Sequence, residues 1–467
     1  MTFASFKYAR IVRSSWLDEG GRRLDCNPYM SGAQEARDAL RRLSVRKDAL
    51  LTVTSGYSGG IYNGPVFARV WVDRPEYGVP FLGSSNISNA DLTTLPLLKK
   101  SYAQSKKLAH LELNEGTTLI TCSGTIGRMA YVRADMAGIW SSQHVMKVVP
   151  DPDKIPAGYL YAFLSSRYGV PLVVSGTYGA IIQHIEPEHI AELPVPRFDC
   201  SFEQEVAQAI DAAAAERVAA SEHRRTALEL FQAKIEWTNH SGSAADAPMA
   251  SSLLGRMDAF HYSSRVEAGR AALAGHCSVR LGDQVERVFE PNRGSRLKVT
   301  DPTFGVPFLS SSSVFELNPS AEYLVSRSLT PHLKGLLLSD CDVLIPRSGQ
   351  LGGIIGRAVL PLPMNVGQAG SEHLVRVRCD SPSNAAYLWA VLASEPGYWA
   401  LIGTAFGSSI PSLNSSLISD LNIPWLSELE REEIGAFAIK AVAAQNKGNE
   451  LEAAAVAMLE EKIMKES

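Results

Sequence analysis

The phrase GVPFL occurs twice in this chain, at Gly78–Leu82 and at Gly305–Leu309, and each copy runs into a serine-rich stretch. The two copies are 227 residues apart (305 − 78). Further landmarks recur in the same order. YLYAFLSS from Tyr159 returns as YLWAVLAS from Tyr387, LPVP from Leu193 as LNIP from Leu421, and Gly179 of GTYG as Gly407 of GTAFG, each at a shift of 228. IGR recurs from Ile126 at Ile355, and SSQH ending at His144 returns as GSEH ending at His373, both at 229. Upstream, RRLDCNPY sets Asp25 against Asp258 of GRMDAFHY at 233. One repeated phrase is chance, but ordered landmarks with near-constant shifts are duplication. The period far exceeds the roughly 20–45 residues of a solenoid repeat. The duplicated piece is therefore a whole domain.

Each copy follows one plan. Short strand-like runs come first (TTLITCSG and GIWSSQHVMKVVP, then VLIPRSG and EHLVRVR), bounded by Gly, Ser, Pro and Asn. A short helical segment follows, GYLYAFLSSRYG or AAYLWAVLASEPG. A proline-marked exit, ELPVPRF or LNIPWLS, then leads into a long helical pattern. Residues 202–237 contain neither Pro nor Gly and are rich in Ala, which favours helix. Val206, Ile210, Ala213, Leu228, Phe231 and Ile235 recur at helical steps, with Asp199 or Ser201 as the N-cap. The second pattern, 428–464, carries Ile434, Phe437, Val442, Leu451, Met458, Leu459 and Ile463, with Gly448 as an interruption. Rods of roughly 50 Å cannot bury an apolar stripe alone. The expectation is that they pair with each other; the alternatives are a partner or each helix's own domain. NHSGSAADAPMASS, residues 239–252, reads as a linker.

Composition bounds the rest. The 467 residues are 45% hydrophobic and 20% charged, an ordinary globular balance with length for several domains. The N-terminus lacks the apolar core of a signal peptide, and no uninterrupted apolar run is long enough for a membrane span. Cys26, Cys122, Cys200, Cys277, Cys341 and Cys379 stand singly, without a CxxC pair, which points to reduced thiols and a cytoplasmic protein. The net charge of −4 argues weakly against nucleic acid, yet basic clusters occur at Arg41, Arg42, Arg46 and Lys47, at Lys99, Lys100, Lys106 and Lys107, and at Arg293, Arg296 and Lys298. Solvated surface is the alternative for each.

Catalytic patterns are scarce. The chain has no GxxxxGK[ST] loop; SGQLGGIIGR, Ser348–Arg357, is glycine-rich without the Lys-Ser ending. It has neither HExxH nor a GxSxG elbow. His144 and His373 occupy matched places and read as structural histidines. NPY at Asn27–Tyr29 and NIPW at Asn422–Trp425 resemble the Asn-Pro-Pro-aromatic signature of DNA adenine methyltransferases, but each lacks a proline and neither follows a glycine-rich cofactor loop.

The doubled layout resembles the specificity (S) subunits of Type I restriction–modification systems. The resemblance is carried by SGTIGR (Ser123–Arg128), YLYAFLSS (Tyr159–Ser166), SGTYGAIIQHI (Ser175–Ile185) and ELPVPRF (Glu192–Phe198), recurring more weakly in the second half and covering nearly the whole chain. Four extra residues in RSGQLGGIIGR depart from the pattern. The resemblance implies an α+β fold: two duplicated β-rich globular target recognition domains separated by two long α-helices forming an antiparallel coiled-coil-like spacer. The domains would be 1–200 and 253–427, with a central spacer helix at 201–238, a linker at 239–252 and a C-terminal spacer helix at 428–467. Each domain would read one half of a bipartite double-stranded DNA site in a phage-defence system. Two modification (methyltransferase) subunits, and restriction/translocase subunits where present, would dock on the chain. S-adenosylmethionine, ATP and Mg would belong to those partners, and this non-catalytic chain would bind no cofactor.

Within that resemblance, comparing the copies separates scaffold from readout. Taking SVR at Ser44–Arg46 against Ser278–Arg280, the first copy carries seven extra residues before GVPFL, within SGYSGGIYNGP. Tyr57, Ser58, Tyr62 and Asn63 are candidate contacts there, and Arg293, Arg296 and Lys298 of PNRGSRLK in the second copy; a surface loop is the alternative. Gln143 stands against Glu372, where Gln suits adenine and Glu can accept from cytosine; strand-edge residues without contact are the alternative. Arg46, Lys47, Lys99, Lys100, Lys106, Lys107, Arg347 and Gln350 complete the DNA-binding candidates. Val206, Ile210, Leu228, Phe231, Ile235, Ile434, Phe437, Leu451, Leu459 and Ile463 are candidate spacer contacts. Two other functions stay open: a two-domain interaction scaffold without DNA, and a degenerate adenine methyltransferase using NIPW.

Overall fold

The computed structural model describes residues 14–19, 29, 31–175, 184–237, 259–275, 277–407 and 409–467. The 239–252 linker, the Asp25/Asp258 landmark, Asn27 and Pro28 of NPY, and residues 176–183 of SGTYGAIIQHI lie outside the described residues. The chain divides into two compact units, Met1–Val218 with Lys447–Ser467, and Ala219–Asn446.

In the first unit GVPFL is an inner strand. It forms a four-stranded sheet in the order Trp71–Val72, Leu97–Lys99, Gly78–Leu82, Trp140–Ser141. It runs antiparallel to Leu97–Lys99 and parallel to Trp140–Ser141. Side chains alternate across a strand. Val79 and Phe81 accordingly join one apolar cluster, and Leu82 joins another with Leu119, Val132 and Val145. A second sheet has the order Ile61–Tyr62, Val145–Val148, Thr118–Thr121, Met129–Tyr131. Lys47–Ala49 pairs separately with Pro194–Pro196.

The second unit has the corresponding sheets. One runs Lys298–Val299, Tyr323–Ser326, Gly305–Leu309, Ala369–Gly370, with GVPFL again antiparallel to one neighbour and parallel to the other. The other runs Arg287–Phe289, Leu374–Arg378, Asp342–Pro346, with a Leu344–Val359 bridge where the first unit has its fourth strand. Ser278–Arg280 pairs with Asn422–Pro424.

Strand register corrects one alignment. Lys47 faces Pro196 and Ser278 faces Pro424, so Ser278 corresponds to Lys47 rather than to Ser44. From Ala49 to Ile61 is 12 positions and from Arg280 to Val288 is 8, so the first copy carries four extra residues there, not seven. They fall in the turns of Leu50–Gly60. The SVR match was a coincidence of letters, because ladder hydrogen bonds rather than residue identity fix register. The insertion in RSGQLGGIIGR holds: Gly127 donates to Thr121 O and Gly356 to Pro346 O, closing loops that differ by four residues.

The helix Ala157–Ser165 is buried from Gly158 to Leu164, and Pro382–Ala393 from Ala385 to Leu392. Each ends at a serine whose hydroxyl donates to a carbonyl three residues back, Ser166 to Phe163 O at 2.7 Å and Ser394 to Val391 O at 2.6 Å. The hydroxyl oxygens of Ser166 and Ser394 in turn accept from Gly169 N and Gly397 N. A Cβ at Gly169 or Gly397 would stand 2.1 or 2.0 Å from those carbonyls, so only glycine fits this corner.

The two long helices are Cys200–Gln232 and Glu428–Glu466. Asp199 caps the first, accepting from Phe202 N at 3.0 Å. The helix stops short of Ile235, which lies beyond its end yet packs on the second unit's core. Gly448 does not interrupt the second helix; it lies inside it, where a Cβ would meet Ala213 O at 2.9 Å, and the missing side chain permits close approach. Within the first unit Val206 and Ile210 share a core with Ala455, Leu459 and Ile463. Within the second, Ala227 and Phe231 share one with Ile434 and Ala438, flanked by the half-buried Leu228 and Phe437. In both, rising numbers on one helix meet falling numbers on the other. Leu451 is also half-buried.

Each unit also carries buried polar residues on its helix pair. Arg217, Gln445, Asn446 and Asn449 are buried. Arg217 pairs with Glu452 and donates to Asn449 Oδ1 at 2.8 Å, while Arg224 donates to Gln445 in the second unit. Gln445 in turn donates to Leu317 O at 2.8 Å, and Met364 N donates to Asn446 Oδ1 at 3.0 Å. Among the described residues no helix is long and apolar enough to cross a membrane.

Candidate nucleic-acid interface

Phe81 and Phe308, the aromatic residues of the two GVPFL strands, each carry an arginine. The Arg69 guanidinium lies 5.4 Å from the Phe81 ring centroid, and the Arg296 guanidinium 4.5 Å from that of Phe308. The arginines are 227 apart, the same shift as GVPFL. An arginine on an aromatic face gains cation–π attraction and loses side-chain freedom.

Each arginine also reaches the matched position beside the shared histidine. Arg69 donates to Gln143 Oε1 at 3.3 Å, and Gln143 Nε2 lies 3.2 Å from His144 Nε2. Arg296 forms an ion pair with Glu372 and donates to the Tyr323 hydroxyl at 2.9 Å. Tyr323 is stacked on Phe308 at 5.1 Å, and the Lys298 ammonium lies 4.0 Å from the Tyr323 ring centroid. The structure thus brings together Arg296, Lys298 and Glu372, which the sequence named, and adds Arg69, which it did not. Arg69 was legible only through the 227 shift once Arg296 had been singled out.

The electrostatics of the two sites differ. Burial pushes the Glu372 carboxyl upward, but the hydrogen bond and charge of Arg296 outweigh it and hold the group below its ordinary value. Burial opposes charge on Arg296, yet Glu372 and Tyr323 raise its pKa. In the first unit burial lowers the pKa of His144, helped by the nearby Arg69 and His184. Cys122 is pushed up to about 11, chiefly by burial, the opposite of what a nucleophile requires.

The other candidates in the first unit separate into groups. Tyr57 is exposed and stacks on His110 at 4.0 Å, in a turn where Ser58 has a φ of 49° between Gly56 at 103° and Gly59 at 78°. Tyr62 is buried, its hydroxyl donating to His110 O at 3.1 Å, and it is a ladder residue opposite Lys147 rather than part of an exposed loop. Asn63 donates to Glu186 Oε2 at 3.0 Å. Gly64 brings these residues close to Gln143, since a Cβ there would lie 3.2 Å from Gln143 Cα. Lys99, Lys100, Lys106 and Lys107 are exposed and have no ion-pair partner among the described residues. Arg46 is held bidentate by Asp48 at 2.7 and 2.6 Å, and Lys47 reaches Leu43 O, at the ladder that precedes the first long helix.

In the second unit Arg293 is exposed, and Gln350 is exposed in the longer RSGQLGGIIGR loop. Arg347 pairs with Glu290, and its backbone N–H donates to His373 O at 2.8 Å, beside Glu372. The serine runs form turns: Ser84–Asn86 is a short 3-10 turn, and Ser310 Oγ bonds Ser313 Oγ at 2.7 Å. NIPW is structural. Asn422–Pro424 is a strand, Ile423 is fully buried, and Trp425 packs on Tyr387 at 5.7 Å. Among the described residues no group of three or more His, Cys, Asp or Glu side chains could hold a metal ion.

No family model matches the chain, and no curated protein matches it. Among solved structures it is similar to the Type-I restriction-modification system S subunit from M. genitalium, at 11% identity and a TM-score of 0.37, covering 91% of this chain and 96% of that one. It is similar to the HsdS subunit from Thermoanaerobacter tengcongensis at 14% identity and a TM-score of 0.27, covering 89% and 95%. A chain from a structure of type I R-M system complex assembly and conformational transition gives 15% identity and 0.27, covering 90% and 97%.

Proposed function

We propose that this chain is a sequence-reading specificity subunit of a Type I restriction–modification system, each of its two units reading one half of a bipartite DNA site. The observation that carries the reading is the contrast at one matched position. An arginine on the GVPFL phenylalanine meets a neutral amide in the first unit and a carboxylate in the second. Scaffold stamped twice, with different hydrogen-bonding groups at the same place, is what a reader of two unlike half-sites needs. The exposed lysines at 99, 100, 106 and 107 suit phosphate contacts, which position without specifying.

In this reading the paired long helices are a spacer between the half-sites, and two modification subunits dock on the chain, with restriction subunits where present. The target adenine is flipped into a modification subunit's pocket, since its amino group is out of reach in the duplex. S-adenosylmethionine, ATP and Mg act on those partners, and this chain contributes no catalytic group. A methyltransferase reading through NIPW is disfavoured by the place of Asn422–Pro424 in a ladder, with Pro424 O already accepting from Tyr387.

The test is the pattern of methylated adenines in the source genome with and without this gene, read by single-molecule sequencing. Loss of methylation at one bipartite motif on deletion is the expected result. An unchanged pattern, together with no salt-dependent duplex binding by the purified chain, would leave the non-DNA scaffold standing.

A further inference from the structure

The two arginine sites are alike in frame and opposite in charge balance. Arg69 is exposed, and Gln143 is its one hydrogen-bond partner among the described residues. Gln143 is neutral, so Arg69 has no counter-charge there and keeps its remaining N–H donors, while its guanidinium lies 5.4 Å from the Phe81 ring centroid. Arg296 sits on an equivalent ring, but Glu372 neutralises it and Tyr323 takes a further donor. Its side chain is 28% exposed and that of Glu372 10%.

Resting on the DNA-reading function proposed above, we infer that Arg69 is a specificity-determining residue for guanine in the first half-site, and that Arg296 is a positioning residue that aims Glu372 at a base amino group in the second. A planar guanidinium with free donors matches the paired acceptors on the major-groove edge of guanine, whereas a carboxylate accepts from the amino group of cytosine. The residue at the histidine-flanking position, Gln143 or Glu372, decides which of the two groups is available. The same arginine is thereby a reader in one copy and a support in the other. Isosteric exchange at that position should exchange the preferences.

The experiment uses the purified full chain, a randomised duplex DNA pool, and sequencing of the bound fraction. Wild type should enrich a two-part motif. R69A should lose the guanine preference at one base pair of one half, by roughly tenfold to a hundredfold, with the other half-site retained as an internal control of folding. Q143E should extinguish the same preference by neutralising Arg69. E372Q should release Arg296 and create a guanine preference in the second half. If R69A weakens binding equally on all sequences, Arg69 is a phosphate contact and the inference is overturned. Unchanged motifs in Q143E and E372Q overturn it as well. If wild type enriches no motif and binds duplex without salt dependence, the DNA-reading function itself fails, an outcome distinct from either.

Discussion

The hydroxyl of Tyr159 donates to the carbonyl of Pro196 at 2.6 Å, tying a buried helix to the strand that leads into the first long helix. Its counterpart 228 residues on does the same, Tyr387 to Pro424 O at 2.7 Å. Both rings are fully buried, and burial raises both hydroxyl pKa values, so each remains a donor. Removing the hydroxyl strands a buried carbonyl. Y159F and Y387F should each lose about 1–3 kcal/mol in denaturant unfolding, and the double variant should lose close to the sum, since the two sites share no partner.

Glycine changes sides between the copies at one helix contact. In the first unit Gly158 of the short helix faces Ala207 of the long helix, and an added Cβ would lie 2.7 Å from Ala207 O. In the second unit Gly435 of the long helix faces the short helix, and an added Cβ would lie 2.9 Å from Ser383 O. Both matches are at shift 228, Gly158 with Ala386 and Ala207 with Gly435. G158A and G435A should each destabilise by about 1–3 kcal/mol, despite alanine's better helix propensity, because the contact is overpacked. Thermal unfolding of each variant checks this.

Arg217 is buried and pairs with the half-buried Glu452 of the other long helix, which also accepts from the Tyr161 hydroxyl at 3.1 Å. R217A should cost about 1.5–3 kcal/mol by leaving a half-buried carboxylate without its charge partner. Pairing R217M with E452Q should recover most of that loss, because the uncompensated charge disappears while Tyr161 keeps an acceptor. A double-mutant cycle in urea measures the coupling.

Lys147 is buried, with Ser142 O at 3.3 Å as its hydrogen-bond acceptor, and burial drives its pKa down to about 7 against some support from Cys122. The unfolded chain holds this proton up to the ordinary lysine value, so between about 7 and 10 it binds more protons than the folded chain. Stability from this group therefore rises with pH through that window and is least below it. K147M should raise stability at pH 7 and flatten the dependence between pH 7 and 10, provided the methionine packs against Tyr62. Denaturant midpoints across that range are the measurement.

Much of the architecture was readable in advance because it was written twice. GVPFL, IGR and the tyrosine helices set a register, and the strands fall where the apolar runs and turn residues put them. The long helices were marked by alanine content and by Val206, Ile210, Phe231, Ile434, Leu459 and Ile463, all buried. Arg217, Gln445 and Asn449 carried no such signal, since a polar residue buried against a partner helix looks like one facing water. The SVR alignment misled for a related reason: three small letters carry less information than a ladder.

The sequence by itself determined that ordered landmarks recur at near-constant shifts, because such repetition needs no coordinates to be seen. Only the tertiary structure decided what the matched differences do. Gln143 and Glu372 are neutral and charged in any context, but their meaning comes from an arginine 74 or 76 residues away in the chain, resting on the GVPFL ring. Sheet pairing brings those residues into contact, and contact between residues distant in sequence depends on strand order and register, which hydrophobic pattern alone does not specify.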